Sequence, residues 1–273
     1  MAEGARAERE DAARDFWDAL GEELALWQKA GKRAGFWWRD DDAVAVSPAL
    51  ERLIDLSARH GASVAVAAVP AKLEPSLAPA IAQRPTVSVL QHGYAHVNHA
   101  KGLGLGAWEL GLQRPIAAVV EELALGRGIM DRAFGARFVP VVAAPWNRID
   151  RRLLPELAGA GFRGFSAAGE RPFKGPEGAA PPGLIEANIQ FDLLDWKAGR
   201  RFRSEASAGR EIIGHLRRRR LGEADAGEPT GILSHHLVLD EDSWRFLNEL
   251  LQFVARHPAA AWLSAREIFG APA

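Results

Sequence analysis

Cysteine is absent from the chain, which excludes disulfides, thiolate metal sites and cysteine nucleophiles together. The opening stretch Met1–Asp11 is charged and has no apolar centre, so it does not read as a secretory signal. No apolar run approaches the roughly 20 residues of a membrane-spanning helix. These absences lead us to expect a soluble, cytoplasmic protein with no membrane partner. Excess charge of one sign is missing too: 34 Lys and Arg stand against 35 Asp and Glu, for a formal net charge of -1. The signs are mixed along the chain, which argues against a nucleic-acid partner. One basic run, Arg217 to Arg220, falls at the end of an expected helix, where cations suit the negative end of the macrodipole. It reads as a solvated helix end. There is no internal repeat, no linker long enough to divide the chain, and no Gly-x-Gly-x-x-Gly turn after the first strand, which removes the usual dinucleotide site.

What is present is enough apolar material for one large core: 273 residues, 48% hydrophobic and 25% charged. Phe16, Leu20, Leu24 and Trp27 recur at helical spacing and predict a helix from about Asp11 to Lys29. Phe36-Trp37-Trp38 is a first strand that stops at Arg39, Asp40, Asp41 and Asp42. Ser47-Pro48 then reads as an N-cap with proline at the first helical position, and that helix ends at Gly61. Further strands are expected at 62–69, 86–90, 138–142, 164–167, 185–190 and 231–234. Helices are expected at 115–134, 150–160, 207–220 and 241–256, and the segment 169–183, dense in Pro and Gly, is expected to be a surface loop. A last short strand, 261–263, is placed to close the sheet. Alternation of buried strands with helices implies a parallel sheet covered by helices, and this many units in one chain favour a closed barrel.

Polar residues gather where the strands are expected to end. Asp40–Asp42 follow the first strand, and His92 and His96 follow the third. Pro145-Trp146-Asn147, Asp195-Trp196 and His235-His236 follow later ones. In a parallel barrel the carboxyl ends of all strands share one face, where active sites are built. His92 and His96 are four apart, which on a helical turn lets two imidazoles share one metal. A carboxylate with two imidazoles and one open position is a usual composition of a hydrolytic zinc site. Three adjacent carboxylates repel one another unless a cation neutralises them, and Arg39 or a divalent metal could serve. Trp37 and Trp38 read as core. The glycine-rich 102–106 stretch reads as a lid.

In this order the motifs resemble the polysaccharide deacetylases, carbohydrate esterase family 4. The elements are Asp41-Asp42, His92-Gly-Tyr-Ala-His96, Ala143-Ala144-Pro145-Trp146, Asp195-Trp196 and Leu233-Ser-His235. The resemblance implies a distorted (β/α)7-8 barrel in a single domain over 1–273, with 1–34 as a helix packed on a barrel core of 35–270. It implies one divalent metal ion, zinc before cobalt, nickel, manganese or iron, held by Asp42, His92 and His96. Asp41 would be the general base, His235 the acid protonating the departing amine, and Asp195 the residue orienting His235. Trp146, Pro145 and Tyr94 would contact the substrate, an N-acetylated carbohydrate or related small amide. Asp40-Asp41 as the functional pair, and His236 in place of His235, are the alternative registers. The sequence departs from the family in two places. Ala143 stands where the family has the Arg that pairs with its catalytic aspartate, and Ala43-Val44 replace a Gly-Pro. Ala143 keeps open a weakened, binding-only barrel, and cleavage of a non-sugar C–N bond is the other alternative.

Overall fold

In the computed structural model, residues 2–173 and 179–270 are described, with side chains from Arg14 onward. Met1, 271–273 and the 174–178 part of the expected Pro/Gly loop lie outside the described residues. The chain opens with α1 (Ala2–Lys29), β1 (Ala34–Ala43), α2 (Pro48–His60), β2 (Val64–Ala68), α3 (Leu77–Ala82) and β3 (Val87–His92). It continues through α4 (Ile116–Phe134), β4 (Phe138–Ala143), α5 (Leu154–Gly159), β5 (Gly164–Ser166), β6 (Ile185–Glu186) and β7 (Phe191–Asp192). A hairpin of β8 (Leu194–Asp195) and β9 (Arg201–Phe202) leads to α6 (Glu205–Ala208), a π-helical turn and α7 (Gly214–Leu221). β10 (Thr230–Ser234), α8 (Glu241–Arg256), β11 (Ala260–Trp262) and α9 (Ala265–Phe269) complete it. Local chemistry sets several boundaries as the sequence predicts. The Ser47 hydroxyl accepts from Leu50 N–H ahead of Pro48, and Gly61 ends α2 in the left-handed conformation.

The main sheet runs β6-β5-β4-β3-β2-β1-β10-β7, and every pair along it is parallel. Its two edges, β6 and β7, belong to one stretch of chain. Ile185, Ala187 and Ile189 N–H donate to the carbonyls of Arg163, Phe165 and Ala167 on one side, and Gln190 and Leu193 N–H donate to Gly231 and Leu233 on the other. That segment changes neighbours halfway along and closes the sheet into a distorted parallel barrel. Of the expected strand at 185–190 only Ile185–Glu186 is strand, and the next piece, β7, begins at Phe191, because one straight strand cannot bond both neighbours across so irregular a gap. The segment placed by sequence to close the sheet, now β11, pairs only with the start of β1.

Residues alternate between two environments along β1. Trp37 faces the barrel interior with Ala65, Leu90, Val141 and Leu233, and Phe269 packs into the same cluster. Phe36 and Trp38 face the outer core, formed with Leu20, Leu24, Leu53, Leu247 and Leu250 of the covering helices. Phe16 and Trp17 bring α1 onto Phe246 and Phe253 of α8 through close ring contacts. The basic run is not solvated as a whole. Arg218 pairs with Glu170, Arg220 with Glu23, and Arg219 is buried, donating to Gly35 O and the Thr230 hydroxyl. The reason is that α7 packs against the start of β1 and β10, where carbonyls and carboxylates take up its guanidinium groups.

The alternation also decides the fate of Asp40. It lies on the outward row with Trp38, and its carboxylate accepts from the Ser234 hydroxyl, from His236 N–H and from the His236 ring. Burial alone would hold the His236 imidazole neutral, but the adjacent Asp40 charge raises its pKa above the ordinary value. A raised folded-state pKa stabilises below the unfolded value of about 6.5, and that stability is lost as pH rises through the folded pKa. We therefore expect His236→Asn, with metal chelated, to unfold at lower temperature than the native chain at pH 5. The gap, about 3 kcal/mol for a broken buried pair, should narrow as melting is followed up to pH 9.

Candidate active site

The carboxyl ends of the strands surround a cavity of about 420 Å³. Its lining includes Asp41, Asp42, His92, His96, Trp146, Asp192, Trp196 and His235. The three aspartates do not follow β1 but form its end. The register slips between Asp40 and Ala43, and Asp42 has φ 71°, so a bulge turns Asp42 into the cavity beside Asp41. Nor do His92 and His96 share a helical turn. His92 ends β3, Gly93 takes φ 57° and His96 φ 52°, and this left-handed turn brings the second imidazole back over the first. Their ring centroids are 5.1 Å apart. Trp146 and Asn147 are left-handed as well, so among the described residues four of the six non-glycine residues with positive φ sit here. Strain concentrated in this way marks a site that the surrounding fold holds in shape.

Asp42 Oδ1 lies 3.3 Å from His92 Nε2 and 3.3 Å from His96 Nε2. Ligand atoms at about 2.0 Å from a tetrahedral zinc stand about 3.3 Å from one another, so the three groups fit one divalent ion. They form the one such cluster found among the described residues. His92 Nδ1 faces Ala143 O at 3.1 Å, which selects the tautomer that leaves Nε2 free as a ligand. Burial opposes ionisation of Asp42, yet its contact with His92, helped by the charges of His235 and His96, holds its carboxyl well below the usual range. Burial lowers the pKa of His96, and His92 beside it lowers it further, favouring the neutral, ligating form.

Asp41 lies on the inward row of β1 with Arg39. The Arg39 Nη2 donates to Asp41 Oδ2 at 2.9 Å, and Nε stands 2.9 Å from Oδ1. Nη1 donates to the Ser166 hydroxyl at 2.6 Å, and Nη2 also reaches Asn147 Oδ1. The guanidinium is fully buried and Asp41 is 2% exposed. Ser166 is paired in register with Ala143. Arg39 thus crosses the barrel interior toward the wall where Ala143 leaves room, and supplies the aspartate with a guanidinium from β1.

His235 faces the cavity, while His236 turns outward to Asp40. The carboxylate beside His235 is Asp192, with Oδ1 3.9 Å from His235 Nδ1. Asp192 accepts from Leu194 N–H and, at 2.8 Å, from Trp196 Nε1. Burial pushes its pKa up, in spite of His235 and these donors. Asp195 does not reach His235. Its carboxylate accepts from Lys197 and Ala198 N–H and caps the turn at the tip of the β8–β9 hairpin. The motif register misleads here because β7 ends before the Asp-Trp pair, and the chain turns outward at Leu194. We expect Asp192→Asn to lower kcat by about 10- to 100-fold, and Asp195→Asn by less than about twofold; kinetics of the two variants side by side would decide it.

Of the expected substrate contacts, Trp146 lines the cavity, its ring 4.3 Å from that of His96. Tyr94 and Pro145 are not in the lining. They belong to the support of the histidine turn: Tyr94 O accepts from Ala71 N–H, and Pro145 crowds Gly93. The same turn rests on Glu109, a residue no motif announced. Glu109 is 1% exposed and its Oε1 accepts from Ala95 N–H at 2.7 Å. A Cβ on Gly93 would stand 2.0 Å from the other oxygen, so only glycine fits there.

No family profile matches the chain, and no curated protein matches it. Solved structures do. It is similar to a Mycobacterium smegmatis protein assigned to the polysaccharide deacetylases, with TM-score 0.61, 16% identity, and 88% of this chain and 90% of that one covered. It is similar to a carbohydrate esterase family 4 member from Streptococcus mutans at 0.52, with 13% identity and 90% of each chain covered. It is similar to the chitin deacetylase of the fungal pathogen Colletotrichum lindemuthianum at 0.52, with 12% identity and 88% of each covered. The fold is therefore that of the carbohydrate esterase family 4 deacetylases, at a large distance in sequence.

Proposed function

We propose that the protein is a metal-dependent deacetylase that hydrolyses the amide of N-acetylated sugars. The observation that carries this reading is the Asp42, His92 and His96 cluster with zinc-compatible spacing, in a cavity that also holds Asp41 and His235. Zinc is the expected ion; cobalt, nickel, manganese and iron suit the same donors. When bound, the cation supplies Lewis acidity toward water and toward the amide carbonyl. Asp41, oriented by Arg39, takes the proton of the attacking water, and His235 gives a proton to the amine nitrogen as the C–N bond breaks. Asp192, with Oδ1 3.9 Å from His235 Nδ1, stands behind the ring and orients it. Trp146 and Trp196 present flat apolar faces to a sugar ring. The forked hold of Arg39 on Asp41 favours turnover over a binding-only role, since it replaces what Ala143 lacks.

Elemental analysis of purified protein, beside the His92→Ala/His96→Ala variant, tests the metal. About one divalent ion per chain, lost in the variant, together with acetate release from an N-acetylated sugar that requires the ion, is the expected result. No ion after incubation with zinc or cobalt would end this reading.

A further inference from the structure

Only one side chain of permanent positive charge lines the cavity among the described residues, and that is Arg148. The carboxylates around it are already engaged: Asp42 with the two imidazoles, Asp41 with Arg39, and Asp192 with Trp196 and His235. None of them, and no other carboxylate among the described residues, pairs with Arg148. Arg148 is exposed, and its guanidinium leans against the loop after β3. It lies over the Trp108 ring at 5.7 Å, and Nη1 makes one long contact with Leu105 O at 3.4 Å. The left-handed pair Trp146 and Asn147 sets the direction from which Arg148 leaves β4. Across from it, Gly106 has φ 76°, and a Cβ there would stand 2.4 Å from Nη1. The loop after β3 is therefore shaped to admit this side chain beside the cavity.

We propose, resting on the deacetylase reading, that the site selects N-acetylated sugars that bear an anionic group, a carboxylate or a phosphate, and that Arg148 receives it. A guanidinium carries five donors in a planar fork that matches either anion two-pronged, and here most of them have no protein acceptor. The Trp108 ring, 5.7 Å from the guanidinium carbon, favours the cation at the cavity wall without consuming its charge. A neutral sugar would leave this cation to solvent alone, without the two-pronged partner that an anionic sugar supplies.

The test uses the full chain loaded with zinc and three sugars: N-acetylglucosamine, its 6-phosphate, and N-acetylmuramic acid. Steady-state kinetics give kcat/KM for each, and calorimetry on the Asp41→Asn protein gives the Kd of each. At least one anionic sugar should be preferred over the neutral one by about tenfold or more. Arg148→Ala should bring that ratio close to unity, and Arg148→Lys should keep part of it. The phosphate and carboxylate arms tell which anion is meant. Equal kcat/KM and equal Kd for neutral and anionic sugars would overturn the proposal while leaving deacetylation intact. So would a uniform fall for all three sugars in Arg148→Ala, which would make Arg148 a support of the loop. Preferential binding of an anionic sugar, lost in Arg148→Ala but without turnover of any sugar, would uphold the anion site and remove the deacetylase reading.

Discussion

Asp41→Asn in the zinc-loaded protein should lose about a thousandfold in kcat while metal content stays at the native level. The amide has the shape of the carboxylate and can still accept from Arg39 Nη2, now at 2.9 Å. What it cannot do is take a proton. The metal is unaffected because Asp42, not Asp41, stands 3.3 Å from both imidazole nitrogens; Asp41 is 3.9 Å from His92 Nε2. Metal analysis and kinetics on the same preparation check both halves. Loss of the ion together with activity would make Asp41 a ligand and reverse the roles of the two aspartates.

Arg39→Ala should damage both stability and activity. The substitution leaves a carboxylate that is 2% exposed without its cation, and also strips a donor from Ser166 and Asn147. Breaking a buried ion pair on one side costs about 3–5 kcal/mol, so melting should fall by roughly 10 °C for a chain of this size. In the fraction that folds, Asp41 loses the guanidinium that fixes its orientation, so kcat should fall by about tenfold or more. Arg39→Lys separates charge from geometry: a point charge restores part of the stability but cannot hold Asp41, Ser166 and Asn147 at once. If Arg39→Ala melts as the native chain does, with an unchanged kcat, Arg39 is not the partner that orients the base.

The structural departures are instructive because each has a local cause. Spacing in the chain places His92 and His96 near each other, but a helical turn was the wrong device; Gly93 and His96 in left-handed conformations do the same work. Glu109 carries no motif and precedes α4 by a stretch of loop, so nothing in the sequence marks it as the support of that turn. Asp195 occupies the expected place in an Asp-Trp pair, yet a hairpin begins at Leu194 and turns it out, leaving Asp192 beside His235. Arg39 was visible as a cation near three carboxylates. Which carboxylate it would meet depended on which residues of β1 face inward.

Sequence alone determined the parallel strand-and-helix alternation, the caps of α2, and the gathering of Asp41, Asp42, His92, His96, Trp146 and His235 at strand ends. These follow from short-range causes: periodic burial, N-cap hydrogen bonds, and the single face shared by the carboxyl ends of parallel strands. Tertiary structure decided the rest, namely Asp192 over Asp195, Glu109 under the histidine turn, closure of the barrel by 185–193, and Arg39 reaching across to Ser166. Each of these joins residues far apart in the chain, 127 positions in the case of Arg39 and Ser166. Such contacts depend on strand register and on how the closed barrel directs its inward row, and neither is encoded in any one stretch of residues.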